Sequence, residues 1–373
     1  MPMKFRKEIK LPNKLIIVKL SSLAVTFTDG HLNLIQVKQI CSDISELIKK
    51  KKLNIIIVSS GSINAGRNLL PKKRKEEISF LQACSSIGQP ILMNMFAQEF
   101  KQYGLFTSQV LLTHEDLKNK KRSHNIRGSI STLLKHGIIP ILNENDCVSF
   151  DEITVGDNDQ LSAMICETMN ADLLCMLTGA DGLYSKDPTQ EDAIHYPIIH
   201  YEDELKDLST LSQKSVGRGG MKTKLQAIRK LTPLGTGVVI GSYTKYTPIL
   251  RLLCQQSGTL FTADNNPSNL KKRSWILTRV RDHAIIKIDQ GAKLALEKNA
   301  SLLPIGILST SGKFSRGDSV LIKHKNQIVG NGITEYSSND IEKIKQLKSH
   351  ELITILGHVP SKVIIHKDNL ILK

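Results

Sequence analysis

The chain has 373 residues, of which 40% are hydrophobic, so it can bury a large core, and its length favours two domains over one. It contains no run of about 18 apolar residues that could cross a membrane, and its N-terminal stretch has no apolar segment typical of a signal peptide. These features argue against an integral membrane protein. We predict a cytoplasmic protein with no membrane partner.

The net charge leaves a nucleic-acid partner open. Lysine and arginine number 51 against 35 acidic residues, which gives a formal charge of +16. Much of the positive charge lies in dispersed lysines, and only 5% of the residues are aromatic, so stacking platforms for single strands are scarce. A solvated lysine-rich surface is therefore favoured over a face that binds RNA or an acidic ligand.

Cysteine usage argues against a disulfide framework and a zinc site. The six cysteines are scattered singly, without a CxxC pair, in mostly apolar surroundings. Buried reduced thiols explain this pattern better than disulfides do. A zinc site cannot be built from this spacing.

The first two-thirds of the chain alternates short apolar runs with amphipathic stretches. Leu15–Val18 is followed by the amphipathic stretch Leu34–Lys49 and then by Ile55–Val58. This alternation predicts an α/β domain with an open, mainly parallel sheet sandwiched by helices, over residues 1–265. Further buried strands are predicted at Ile138–Leu142, Leu173–Leu177 and Val238–Ile240.

A second domain is predicted after a polar, charged and proline-containing segment. We place a linker at residues 266–278, where the sequence NNPSNLKKR interrupts the periodicity. Short alternating segments follow at Ala284–Ile288, Ser319–Ile322 and Val363–Ile365, separated by glycines. Residues 279–373 are therefore predicted to form a small, mainly β domain.

Two strand ends carry residues suited to a ligand. Lys19 lies at the end of the first predicted strand, where an open α/β sheet binds ligands and where an ammonium can neutralise a phosphate. Ser60 and Gly61 follow the second strand, and small residues let a ligand approach the backbone. A solvated lysine and a plain tight turn explain the two segments equally well.

A more specific signal is the concentration of polar side chains between Ile138 and Met169. Asn143 and Asp146 follow one strand, and Asp157, Asn158 and Asp159 precede a helical pattern over Leu161–Met169. Capping that helix needs only one such residue. The set suits a zwitterion, with acids for an ammonium group, and a divalent metal is the competing interpretation.

Two glycine-bearing segments suit a nucleotide. Thr178 and Gly179 follow a buried strand in a loop that could hold a base and ribose. Further on, Gly219 and Gly220 precede an amphipathic helix with Lys224 near its start, which offers backbone N–H groups and a positive charge to phosphates. The spacing is not that of a Walker A motif.

Seven segments in order, VSSGSINAG, ACSSIGQP, QVLLT, IIPILNENDCV, VGDNDQLSA, LTGADGLYSKDP and GGMKTKLQA, resemble the amino-acid kinase family. Within it they are most similar to bacterial glutamate 5-kinases, the first enzymes of proline biosynthesis. The C-terminal segments ASLLPIGI and GKFSRGD resemble the PUA domain that bacterial members carry. PUA domains elsewhere bind RNA, but the resemblance does not establish that role here.

The resemblance implies ATP, Mg²⁺ carried by ATP, and L-glutamate as ligands. It implies catalytic roles for Lys19, Asp157 and Lys224. Residues implied to bind ATP are Lys19, Thr178, Gly179, Arg218, Gly219, Gly220, Met221, Lys222, Thr223 and Lys224. Residues implied to bind glutamate are Ser60, Gly61, Asn143, Asp146, Asn158 and Asp159. It further implies a homo-oligomer, proline as a possible feedback inhibitor and a glutamyl-phosphate reductase as a possible partner.

The implied reaction needs no general base, because a glutamate γ-carboxylate is ionised at neutral pH. Asp157 is then expected to organise the lysines rather than to take a proton. Ser21 stands where the family usually has glycine, and Gly179 lies in a stretch that is usually more acidic. These departures leave an alternative, a catalytically weakened homologue that acts as an RNA-binding or regulatory protein.

Overall fold

The computed structural model describes residues 5–71, 77–148, 158–186, 189–201, 220–254, 256–264, 280–298, 300–325, 327–347, 351–356 and 361–372. The chain divides into two compact units, Met1–Pro267 and Ser268–Lys373. The predicted linker, residues 266–278, lies wholly outside the described residues.

The first unit is built on an eight-stranded sheet. The strands of this unit are β1 (Leu15–Leu20), β2 (Asn54–Val58), β3 (Phe106–Leu112), β4 (Ile138–Glu144), β5 (Leu173–Thr178), β6 (Leu183–Tyr184), β7 (His195–Tyr196), β8 (Ile198–Ile199), β9 (Gly237–Ser242) and β10 (Thr259–Phe261). The sheet order is β3-β4-β2-β1-β5-β9-β10-β8, and β6 and β7 form a separate hairpin. The first six strands in this spatial order, which end with β9, run parallel to one another. The next strand, β10, is antiparallel to β9. The predicted open, mainly parallel sheet is confirmed.

Helices cover both faces of this sheet. They are α1 (Ser22–Val25), α2 (Leu34–Lys51), α3 (Ser62–Arg67), α4 (Ile78–Lys101), α5 (His114–Lys118), α6 (Lys120–Lys135), α7 (Asn158–Met169), α8 (Gly220–Leu231) and α9 (Pro248–Leu253). The side chains of β1 alternate between two apolar clusters, with Ile16 and Val18 in one and Leu15 and Ile17 in the other. Because β1 is buried on both faces, it reads as a continuous apolar run that ends at Lys19.

The helix α7 begins earlier than its apolar pattern predicts. The pattern predicts Leu161 as the first residue, but the helix starts at Asn158. Asn158 and Asp159 therefore lie in the first helical turn and not in a loop, which fixes their side-chain directions relative to the sheet.

The second unit has a five-stranded sheet of order β12-β11-β13-β14-β15. Its strands are β11 (Val280–Ile288), β12 (Ile307–Ser311), β13 (Ser319–His324), β14 (Gln327–Ile333) and β15 (Leu370–Leu372), and its helices are α10 (Gln290–Glu297), α11 (Ser338–Ile344) and α12 (Leu352–Leu356). The prediction of a strand at Val363–Ile365 was wrong, since this segment forms only an isolated bridge between Ile365 and Leu302. Ile364 and Ile365 are both buried, so the run packs into the core without the alternation of a strand.

Candidate active site

The carboxyl ends of the central parallel strands bring the predicted site residues to one edge of the sheet. Lys19 lies near the end of β1, in register with Val58 of β2 and Met176 of β5. Asn143 lies near the end of β4, and Thr178 ends β5. This edge is where an open α/β sheet binds ligands.

Two lysines and one carboxylate form a charged cluster at this edge. The Nζ of Lys19 lies 2.8 Å from Oδ1 of Asp159, and the Nζ of Lys224 lies 3.0 Å from Oδ2. The hydroxyl of Thr223 donates to the same Oδ2 at 2.9 Å. The lysine side chains are 8% and 13% exposed and that of Asp159 only 3%, so the charges are held largely out of water.

The cluster sets the ionisation of its acid. Burial opposes the charged form of Asp159, but the two lysine ammonium groups outweigh it and lower the pKa of the carboxyl below its ordinary value. Asp159 is therefore an anion at neutral pH and holds two cations side by side. Sequence reasoning assigned Asp159 to the substrate and the organising of lysines to Asp157, a residue that lies outside the described range.

The predicted glycine-rich loop is described only from its C-terminal end. Gly220 begins α8, Met221 packs against the apolar cluster beneath the sheet, and Thr223 and Lys224 reach Asp159. Arg218 and Gly219 lie outside the described residues, as does the side chain of Lys222. The described part brings one predicted phosphate-binding lysine, Lys224, next to the other, Lys19.

The loop after β5 is tied by Thr178. Its hydroxyl accepts from the amide of Ala180 at 3.0 Å and lies 3.1 Å from the carbonyl oxygen of the same residue. Gly179 is exposed, and a Cβ added to it would meet no atom within 4 Å. At the other departure, the amide of Ser21 donates to Leu177 at 3.1 Å, between β1 and β5. Ser21 thus keeps its backbone bond to β5, and position 179 has open space around it.

A buried amide network joins α7 to β2 and β4. The Nδ2 of Asn158 lies 2.8 Å from the carbonyl oxygen of Ser59, 2.8 Å from Oγ of Ser60 and 3.1 Å from Oδ1 of Asn143. In turn, Nδ2 of Asn143 donates to Oε1 of Gln89 at 2.9 Å. Three of the predicted substrate residues, Ser60, Asn143 and Asn158, are thus brought together by direct contacts.

Asp146, which is also a predicted substrate residue, is held by two serines that sequence reasoning did not single out. Ser62 donates to Oδ2 of Asp146 at 3.3 Å, and Ser85 donates to the same oxygen. Both serines and Gln89 lie within the quoted segments VSSGSINAG and ACSSIGQP, but hydroxyl and amide residues on helices are common and carried no signal of a site. Only the packing of α3 against α4 brings them to Asp146.

Two glycines allow that packing. Gly61 has φ +96°, a left-handed conformation that turns the chain from β2 into α3 at low cost only for glycine. At the crossing of α3 and α4, a Cβ on Gly88 would lie 1.8 Å from the carbonyl oxygen of Ser62. The helices can approach this closely only because Gly88 has no side chain.

Comparison with family models divides the chain as the two units do. The amino acid kinase family matches residues 14–242, and the PUA domain matches residues 284–356. No helix within the described ranges is long and apolar enough to span a membrane.

Curated relatives match over nearly the whole chain. A glutamate 5-kinase of Methanococcoides burtonii is 38% identical, covering 98% of each chain. That of Carboxydothermus hydrogenoformans is 37% identical, covering 98% of this chain and 99% of its own. Among solved structures, the UMP kinase of Ureaplasma parvum is 16% identical and covers 66% of this chain and 98% of its own, with a TM-score of 0.49.

Proposed function

Because the chain belongs to the amino-acid kinase family, and within it to the glutamate 5-kinases, we propose that it phosphorylates the γ-carboxylate of L-glutamate from ATP. The product is L-glutamyl 5-phosphate, in the first step of proline biosynthesis. One observation carries the proposal beyond kinship. A paired-lysine cluster suited to phosphates and a buried acceptor network suited to an amino acid lie at the same sheet edge. We place this chemistry in residues 1–265, with residues 279–373 as the PUA domain.

The lysine cluster is the proposed phosphate half of the site. Lys19 and Lys224 would neutralise the negative charge that accumulates as the γ-phosphoryl group moves. We assign their organisation to Asp159, since its two carboxylate oxygens each contact one of the two ammonium groups. The turn at Thr178 and Gly179 and the loop from Arg218 to Lys224 remain the proposed contacts of the nucleotide.

The amide network is the proposed glutamate half. Ser60, Gly61, Asn143, Asp146 and Asn158 would hold the amino acid with its side-chain carboxylate directed at the phosphates. The glutamate carboxylate is already an anion at neutral pH, so it attacks without a base, and in-line positioning is the main demand on the protein. The proposed mechanism therefore assigns no general base.

Mg²⁺ is proposed to enter with ATP. The carboxylate among the lysines, Asp159, contacts an ammonium through each oxygen, and the described residues contain no cluster of three or more metal-ligating side chains. Because lysines engage both oxygens of Asp159, we propose that the phosphates, and not this carboxylate, hold the metal. When bound, Mg²⁺ would supply further neutralisation of phosphate charge.

The test is ADP release by the purified chain with Mg·ATP, comparing L-glutamate with aspartate, acetylglutamate and no acceptor. We expect glutamate-dependent turnover that falls at least about a hundredfold in Lys224→Ala. A matched control is Lys230→Ala on the same helix, whose Nζ pairs with Glu167 at the surface at 3.0 Å, and it should keep wild-type activity. Turnover with no acceptor preference, or none at all, would contradict the proposal.

Three further proposals follow from kinship alone: a homo-oligomer, inhibition by proline and transfer of the product to a glutamyl-phosphate reductase in the cytoplasm. Light scattering measures the oligomeric state, and glutamate-dependent ADP release with and without proline measures the inhibition. A monomer that is insensitive to proline would remove both.

A further inference from the structure

Asp146 is held through one of its two oxygens. Ser62 Oγ lies 3.3 Å from Oδ2, Ser85 donates to the same atom, and the two hydroxyl oxygens are 3.0 Å apart. All three residues are buried, at 2 to 5% exposure. The hydroxyls therefore compete with no solvent for the carboxylate.

The two hydroxyls have two protons for three contacts, so when both serines donate to Asp146 Oδ2 the 3.0 Å contact between their oxygens carries no proton. Asn143 Nδ2 lies 3.4 Å from Ser62 Oγ, so the serine accepts there and its single proton is available for Asp146. The amide of Asn143 gives its other proton to Gln89. A chain of donors thus runs from Asn143 through Ser62 to Asp146 Oδ2, where Ser85 joins it.

Two acceptors of the network are left over. Asp146 Oδ1 and Asn158 Oδ1 are buried and have no hydrogen-bond partner among the described residues. The orientation of Asn158 is fixed, because reversing its amide would set Oδ1 against the carbonyl oxygen of Ser59 at 2.8 Å. Buried unpaired acceptors are costly, so they indicate a ligand with several donors.

An ammonium group meets this requirement, with three donors and a charge opposite to that of Asp146. We propose that Ser62 and Ser85 are positioning residues of the ammonium subsite, which hold Asp146 Oδ2 so that Oδ1 accepts from the α-ammonium of the substrate. This rests on the proposed function and deepens it. The serines thereby favour α-amino dicarboxylic acids over dicarboxylic acids that lack the amino group.

A purely structural role is the rival explanation. The serines also fill space between α3 and α4, and in that role their loss would loosen the whole pocket. A loosened pocket weakens every ligand alike. A misplaced Asp146 weakens only ligands that carry an ammonium group, so glutarate, which is glutamate without its amino group, separates the two explanations.

The variants are Ser62→Ala, Ser85→Ala and the double variant, with Ser86→Ala as the matched control. Ser86 is the exposed neighbour of Ser85, and its hydroxyl contacts Gln82 and Cys147 instead of Asp146. The measurements are kcat, KM for glutamate, KM for ATP and the inhibition constant of glutarate against glutamate, with thermal unfolding as a check of folding.

We expect Ser85→Ala to raise KM for glutamate about tenfold, because a hydrogen bond to a charged group is lost. The kcat, the KM for ATP and the inhibition constant of glutarate should stay within about twofold. The double variant should raise KM by less than the product of the single effects, since both serines act on one oxygen. Ser86→Ala should match the wild type.

An unchanged KM for glutamate in both single variants overturns the inference, as does a glutarate constant that weakens by the same factor as KM. If the alanine variant fails to fold, Ser85→Cys, which keeps the volume with a weaker donor, carries the same comparison. A wild-type chain without glutamate-dependent ADP release overturns the proposed function and this inference together. Active wild type with unaffected variants overturns the inference alone.

Discussion

Replacing Asp159 by asparagine removes the anion between the two lysines without changing the size of the side chain. In the wild type, the carboxylate oxygens lie 2.8 and 3.0 Å from the ammonium groups of Lys19 and Lys224. An asparagine amide offers one oxygen and no charge, so the two cations would face each other across a site that excludes most water. We expect the lysines to separate and to lose their common geometry.

The size of the effect follows from burial. Removing one partner of a buried ion pair costs about 3–5 kcal/mol, because the remaining charge has no compensation. Bound ATP restores part of that compensation, since its phosphates supply negative charge next to Lys19 and Lys224. The loss should therefore fall on the transition state more than on ATP binding. A loss of about 3 kcal/mol in the transition state lowers kcat by roughly a hundredfold.

The assay is steady-state ADP formation with saturating glutamate, and we expect a large fall in kcat with a change in KM for ATP of less than about threefold. Glu167→Gln is the matched control, because Glu167 lies on the same helix as Asp159 and pairs with Lys230 of α8 at the surface. It should leave both constants unchanged. An Asp159→Asn enzyme with more than a third of the wild-type kcat would refute the organising role.

Three further substitutions test the scaffold. Gly88→Ala should lower the free energy of unfolding in urea by about 2–4 kcal/mol, because its Cβ would lie 1.8 Å from the Ser62 carbonyl oxygen; an unchanged midpoint contradicts the close packing. Burial raises the pKa of Asp43 to about 7 despite backbone hydrogen bonds from Ile249 and Leu250. Between about pH 4 and pH 7 the carboxyl ionises in the unfolded chain but stays protonated in the folded chain, so the free energy of unfolding falls progressively over this range, by roughly 4 kcal/mol in total. Asp43→Asn should remove this slope, and parallel pH profiles of unfolding free energy for the two proteins would contradict it. Arg6→Lys should lower the thermal midpoint by several degrees, since one ammonium cannot replace a guanidinium that donates to four backbone carbonyls; an equal midpoint would show that the charge alone suffices.

The parallel sheet could be predicted because its strands are buried on both faces. Leu15–Val18 and Leu173–Leu177 read as unbroken apolar runs, and each lies within an observed strand. The start of α7 could not be predicted in the same way. Asn158 and Asp159 are polar residues in the first turn, where their contacts with neighbouring strands, and not apolar periodicity, hold them in place.

The sequence predicts which residues lie in the candidate site. It does not predict which of them contact each other. Lys19, Lys224, Asn143 and Asp146 follow strand ends or glycines, which are local signals. Which acid faces the lysines depends on how α7 and α8 pack on the sheet. Nothing in the spacing of the acids between residues 146 and 159 distinguishes the one that contacts Lys19 and Lys224.

The first turn of α7 links the two halves of the site. Successive residues of a helix point about 100° apart, so Asn158 and Asp159 must face different neighbours. Asn158 enters the amide network around Ser60 and Asn143, and Asp159 enters the lysine cluster. A shift of this turn would displace the acceptor for glutamate and the anion between the lysines together. Glutamate and ATP affinities are therefore expected to change in concert in variants that move α7, and independently in variants such as Ser85→Ala that act on one half alone.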